Sequence, residues 1–236
     1  MCLHVGPLSL LNFVLAESAL ELVPMEIRKH PAVVSDLRRR QKDAPQILLD
    51  RSFHHSAMKR LKDSEKRGRP DIVHVALLNV TGTPLYLEGR IRVFVHTYDD
   101  NVLEIAEKTR IPKNYFRFRG LMEEALVEQP KQGLIKAHSM GVRDLVRKIS
   151  SDTVFGLSVQ GKMTSLEGLA TMVLAAGNPC VVVGGFPHGH FSPTTLSAVD
   201  HLVRIHARPL EAHIVASRVV YEVEKVEAGS TIKSAS

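Results

Sequence analysis

Cysteine is almost absent from this 236-residue chain, which has two, Cys2 and Cys180. They form no CxxC pair. That excludes a disulfide-stapled secreted domain and a cysteine zinc site, and it points to a cytoplasmic protein. The 12 histidines include the adjacent His54 and His55 and the pair His188 and His190, but no HExxH spacing, so no metal is expected. No serine sits in a GxSxG turn and Cys180 lies inside an apolar run, so a nucleophilic triad has no support. The apolar run 8–15 has no lysine or arginine before it, Glu17 closes it, and no transmembrane-length run follows. It reads as a buried first strand, and no membrane partner is expected. Linkers, repeats and low-complexity tracts are missing up to residue 228. The remainder, 229–236, reads as a frayed, flexible tail.

What is present is an ordinary globular composition, 44% hydrophobic and 24% charged. The length suits one α/β domain over 1–228, large enough to bury a core without staples. The net charge of +6 is unevenly spread. Residues 28–70 hold 13 basic against 5 acidic side chains, and residues 108–119 hold 5 basic and none acidic. Focused positive charge is the footprint of a nucleic-acid binder or simply a solvated basic face.

Strand-length apolar runs alternate with amphipathic stretches. Strands are expected at 11–16, 47–50, 72–80, 92–97, 102–107, 134–137, 153–158, 180–183 and 202–206. Helices are expected at 18–30, 31–40, 52–63, 114–129, 142–149, 165–176 and 209–227. Ser52 and Ser165 are read as N-caps, Gly177 as a helix stop and Pro209 as a first-turn residue. This alternation predicts a mostly parallel sheet covered by helices on both faces, with any small-molecule site beyond the carboxyl ends of its strands.

Three segments can carry chemistry. In 180–189 an apolar run ends in Gly184-Gly185, with Gly189 four residues on. The segment matches neither GxGxxG nor GxxxxGK followed by serine or threonine, so it is either a binding loop of another kind or a tight strand exit. Arg67-Gly-Arg-Pro-Asp71 sets two guanidinium groups beside one carboxylate, suited to phosphate or stacked bases, or to a plain surface pair. In 108–119, basic residues interleave with Tyr115, Phe116 and Phe118. Arg110, Lys113 and Arg117 are candidates for RNA contact, and the helical spacing sends Phe118 to the core.

Taken in order, 15–24 (LAESALELVP), Arg69-Pro-Asp-Ile72, Thr83-Pro-Leu85, Val95-His-Thr97, Thr109-Arg-Ile-Pro112, Arg117-Phe-Arg-Gly-Leu-Met122 and 181–189 (VVVGGFPHG) resemble one family. It is the ribosome-biogenesis pseudouridine-N1 methyltransferase family of the SPOUT (trefoil-knot) class, in its archaeal form. The resemblance implies a C-terminal trefoil knot, S-adenosyl-L-methionine as cofactor, a homodimer, and a small-subunit ribosomal RNA loop containing pseudouridine as substrate. A small-subunit ribosomal protein is a further expected partner. Cofactor contacts map onto Leu157, Ser158, Val183, Gly184, Gly185, Phe186, Gly189, Ile205, Leu210 and Ala212. RNA contacts map onto Arg69, Arg110, Lys113 and Arg117, and catalysis onto Asp71 positioned by Arg69. Lys113 departs from the arginine usual in eukaryotic members, and 160–162 departs from their small-hydroxyl pattern. The rival expectation is an RNA-binding ribosome assembly factor whose role does not require methyl transfer. Both readings accommodate the basic segments.

Overall fold

Continuous apolar runs become the central strands, because a strand flanked on both sides and covered on both faces has no solvent side. The computed structural model describes residue 8 and residues 10–234. Residues 1–7 and 9 and the end of the expected tail lie outside the described residues. Strand β1 (Leu11–Ser18) is buried at every position. It pairs in parallel with β2 (Ile91–Thr97) on one side and β6 (Pro179–Gly184) on the other. Beyond β2, the strands β3 (Asn101–Ile105) and β4 (Ile135–Ser139) add an antiparallel meander. Beyond β6 come β5 (Thr153–Met163) and β7 (His201–Arg204), both parallel. The seven-stranded order is β4-β3-β2-β1-β6-β5-β7, mostly parallel as expected.

Helices cover both faces. On one, α3 (Pro70–Thr81), α5 (Tyr115–Glu128), α7 (Leu166–Ala175) and α9 (Ala212–Ser234) pack on Leu11, Phe13 and Leu15 of β1. On the other, α6 (Val142–Lys148) and the short α8 (Pro193–Leu196) pack on Val14 and Ala16. A third, smaller core joins α1 (Pro31–Arg40) and α2 (Arg51–Met58). The one-turn helix α4 (Pro84–Leu87) lies between α3 and β2.

Several expectations are corrected. Residues 72–80 form helix α3, not a strand. Pro70 opens it, Asp71 sits in its first turn, and its buried positions Val73, Ala76, Leu77 and Val80 follow a 3.6-residue period. The expected helix 18–30 is the end of β1, an extended stretch and a 3-10 turn at Met25–Ile27, because Pro24 blocks a continuous helix. Residues 47–50 make one antiparallel bridge, Leu22↔Leu48, rather than a strand. Helix α2 is capped by Asp50, whose Oδ1 accepts from the Ser52 N–H, and stops at Met58. Strand β5 runs on through 160–162, where a loop is expected. Gly161 lies so close to β7 that a Cβ there would come within 2.6 Å of Val203 backbone. Gly177 is not a left-handed helix stop; it lies against Asp152. Helix α9 begins at Ala212, after Pro209, and the expected tail is helical as far as Ser234.

Part of the basic stretch 28–70 is spent on internal ion pairs, while Lys29, Arg38, Arg39, Lys59, Arg60 and Lys62 are exposed. Arg67 grips buried Glu21 with two bonds of 2.7 and 2.5 Å, and Lys66 pairs with Glu17. Arg40 and Lys42 converge on Glu123 of α5, whose Oε1 also accepts from the Leu48 N–H at 3.0 Å. These bonds join α1 and the 47–50 segment to α5.

Candidate active site

The ends of β6 and β7, the middle of β5 and the starts of α3 and α9 meet at a single cleft of about 630 Å³. Strand β5 contributes Leu157 and Ser158, and β6 contributes Val183, Gly184 and the turn through Phe186 and Gly189. The chain after β7 contributes Ile205, Leu210 and Ala212, and the start of α3 adds Arg69 and Asp71. The volume falls within the roughly 300–1,000 Å³ usual for small-molecule sites. Apolar side chains, Leu157, Val183, Ile205 and Leu210 among them, line much of the wall.

Gly185 is the exception among the expected cofactor residues, because it does not line the cleft. Its N–H donates to Ala16 O at 2.9 Å and its carbonyl accepts from Ala19 N–H at 2.8 Å. It is a crossing point between β6 and the end of β1. A Cβ there would lie 2.2 Å from Ser18 Oγ and 2.9 Å from Ser18 Cα. Gly185→Ala is expected to destabilise the fold by about 1–3 kcal/mol in urea unfolding, as overpacking of a closed site does. Adding Ser18→Ala leaves the Cα conflict and restores only part of the loss.

The polar pair in the cleft is well defined. Arg69 Nε and Nη2 donate to Asp71 Oδ1 and Oδ2 at 2.8 and 2.7 Å, and both side chains are partly open to solvent (38% and 48%). Arg69 immediately precedes α3, and its N–H donates to Ala19 O at 3.0 Å, which anchors the pair beside the end of β1. The fork holds the Asp71 oxygens in one plane, and each keeps a lone pair free to accept a proton. Hydrogen bonding to Asp71, despite partial burial, raises the Arg69 guanidinium above its ordinary value, so it stays charged.

Cys180 stands inside β6, where burial pushes its thiol up to about 12, so it offers no thiolate. Arg110, Lys113 and Arg117 are exposed and lie outside the cleft lining. They are nonetheless coupled to it through α3. His74, one turn from Asp71, stacks on Phe118 at 4.3 Å, and its Nε2 donates to Pro112 O at 2.7 Å. Phe118 is core, as its spacing predicts.

Sequence reasoning gave no role to Glu17, which organises the loop beyond Gly189. Its Oε1 accepts from the Ser192 N–H at 2.8 Å and Ser192 Oγ at 2.7 Å, and Lys66 covers the other oxygen. Burial would raise this carboxyl, but Lys66, Thr195 and Ser192 together hold it below the ordinary carboxylate range. Glu17 adopts a left-handed φ of 50°, a conformation costly for a residue other than glycine. That backbone feature, visible only in three dimensions, is the signal that sequence reading could not use. Arg204 and Arg208 also line the cleft and were not singled out.

The sequence model described as EMG1/NEP1 methyltransferase matches residues 13–224. This chain belongs to that family. A relative from Staphylothermus marinus, "Ribosomal RNA small subunit methyltransferase Nep1", is 42% identical over 91% of this chain and 95% of its own. The Thermococcus kodakarensis protein of the same name is 40% identical over 91% of this chain and 98% of its own. Among solved structures, Archaeoglobus fulgidus Nep1 bound to S-adenosylhomocysteine superposes with a TM-score of 0.81 at 38% identity. It covers 93% of this chain and 99% of that one. The EMG1/NEP1 match takes in the cleft strands, the Arg69–Asp71 pair and the basic segment together.

Proposed function

We propose that the chain transfers the methyl group of S-adenosyl-L-methionine to N1 of a pseudouridine in small-subunit ribosomal RNA, and does so as a homodimer with a knotted C-terminal half. The observation that carries this reading is the meeting of the β6 and β7 exits, the middle of β5 and the Arg69–Asp71 pair in one cleft. The Archaeoglobus relative, which spans nearly all of this chain, holds S-adenosylhomocysteine.

The cleft suits such a cofactor. Leu157, Val183, Ile205 and Leu210 offer apolar surface for a flat base, and backbone groups at the strand ends offer polar contacts. When bound, S-adenosylmethionine supplies an electrophilic methyl group. The residues of the chain do the rest. Holding the target nitrogen in line with that methyl supplies much of the rate enhancement. A neutral N1–H that gains a methyl group must release its proton, and Asp71 accepts it. Arg69 keeps the Asp71 carboxylate in place and contacts the RNA.

The exposed cations Arg110, Lys113 and Arg117 bind the RNA backbone. Replacing each with glutamine is expected to make the log–log salt dependence of RNA binding shallower by about 0.7, the value for one phosphate contact on a single strand. Slopes unchanged in all three variants would remove them from the interface. The reading as a whole is tested by incubating the chain with labelled S-adenosylmethionine and a small-subunit loop oligonucleotide containing pseudouridine. Label is expected on the RNA, and its absence at saturating RNA would overturn the reading.

A further inference from the structure

Helix α5 presents one aromatic ring to solvent in strongly basic surroundings. Phe116 is 60% exposed, whereas Phe118 and Arg119 of the same helix are buried. The Arg119 guanidinium carbon lies 5.3 Å from the Phe116 ring centre and 5.1 Å from that of Phe53. Arg39 in turn stands 4.6 Å from the Phe53 ring. The four side chains form a ladder of alternating cations and rings from α1 through α2 to α5, with the outermost ring open.

Arg119 is an unusual support. It is 5% exposed, and its Nε and Nη1 donate to no acceptor among the described residues. Asp50 Oδ2 stands 3.9 Å from Nη1 and is already taken by the Tyr115 hydroxyl at 2.5 Å. A buried guanidinium with two unpaired N–H groups is costly, and aromatic faces recover part of that cost. Arg119 is therefore held by the rings and holds them in return. Phe116 is backed by a fixed group, and whatever meets its outer face meets a preorganised surface.

The surroundings select the occupant. Arg110, Lys113 and Arg117 are exposed nearby in the chain, and residues 108–119 contain no acid. A ring in a field of cations suits a polyanion that carries flat bases. We propose that the outer face of Phe116 is a stacking platform for an unpaired base of the RNA. That base is a second nucleotide, because Phe116 does not line the cleft. The proposal rests on the RNA-binding reading above.

Phe116→Leu keeps apolar area but loses the ring. It is expected to weaken loop RNA binding by about tenfold, as loss of one base–aromatic stack does, with the salt slope unchanged. Because the chain has no tryptophan, Phe116→Trp supplies a single tryptophan, excited selectively over the tyrosines. Its emission is expected to be quenched by the loop RNA, and the quenching to disappear when one particular unpaired nucleotide is made abasic. That abasic RNA is expected to bind Phe116→Leu no worse than intact RNA does. Wild-type affinity in Phe116→Leu, or no quenching at saturating RNA, would overturn the platform while leaving the Arg117 salt-slope result to support the RNA face. Wild-type protein that binds no loop RNA would overturn both.

Discussion

Replacing Asp71 with asparagine lowers kcat by roughly 10²–10⁴-fold, the range for losing a positioned proton acceptor, while RNA affinity changes far less. The asparagine amide keeps the shape of the carboxylate and still offers Arg69 one oxygen. It cannot take a proton from a nitrogen that is being methylated. Single-turnover transfer from labelled cofactor measures the first quantity and RNA titration the second. Equal losses in rate and affinity would make Asp71 a structural or RNA-positioning residue instead. Arg69 provides the control. It donates two bonds to Asp71 from outside the core, so Arg69→Lys keeps the charge but loses the planar fork. It is expected to lower both rate and RNA affinity, because Arg69 has both roles.

The largest stability effect lies away from the cleft, at Glu123. This carboxylate is 1% exposed and takes two bonds from Arg40 and one each from Lys42 and the Leu48 N–H. Burial alone would raise its pKa, but Arg40, Leu48 and Lys42 together hold it below the ordinary carboxylate range. Glu123→Gln leaves Lys42 without a counter-charge and Arg40 with only Asp36 at 3.9 Å, and is expected to cost about 3–5 kcal/mol. The pH dependence has a definite sign. A depressed folded pKa means that the contribution is fully present above the unfolded value of about 4.3 and is lost as pH falls through the folded value. The wild-type advantage over Glu123→Gln is therefore constant near neutral pH and shrinks below about pH 4. Denaturant unfolding across that range measures it. A gap that does not change with pH would show that the loss is one of packing and not of charge.

Legibility in the sequence followed the range of the interactions. Strands β1 and β6 were readable because burial on both faces leaves an unbroken apolar run. Helix α5 was readable from its helical apolar spacing, and Asn114, whose side chain accepts from the Arg117 N–H, caps it. Helix α3 was misread because its β-branched residues mask a helical period, and because Asn79 and Thr81 turn back to their own helix carbonyls. The cleft residues Leu157, Val183 and Ile205 were found through the family resemblance. Gly185 was assigned to the cofactor because a glycine pair looks alike whether it faces a ligand or a neighbouring strand. The contact with Ser18 that decides its role joins residues far apart in the chain. The same holds for the basic stretch. Nothing local pairs Arg40 with Glu123 or Arg67 with Glu21, so a set of internal ion pairs read as a surface patch. Exposed basic residues remain in both stretches, Lys59, Arg60 and Lys62 among them, and the functional reading uses those of 108–119.

The central claim is methyl transfer to pseudouridine. Its most direct test offers labelled S-adenosylmethionine and two loop oligonucleotides that differ only in having uridine or pseudouridine at one position. The account predicts label on the pseudouridine strand alone. Tight binding of both strands with no transfer would contradict it and favour an assembly factor. Equal labelling of both strands would leave an RNA methyltransferase but refute selectivity for pseudouridine.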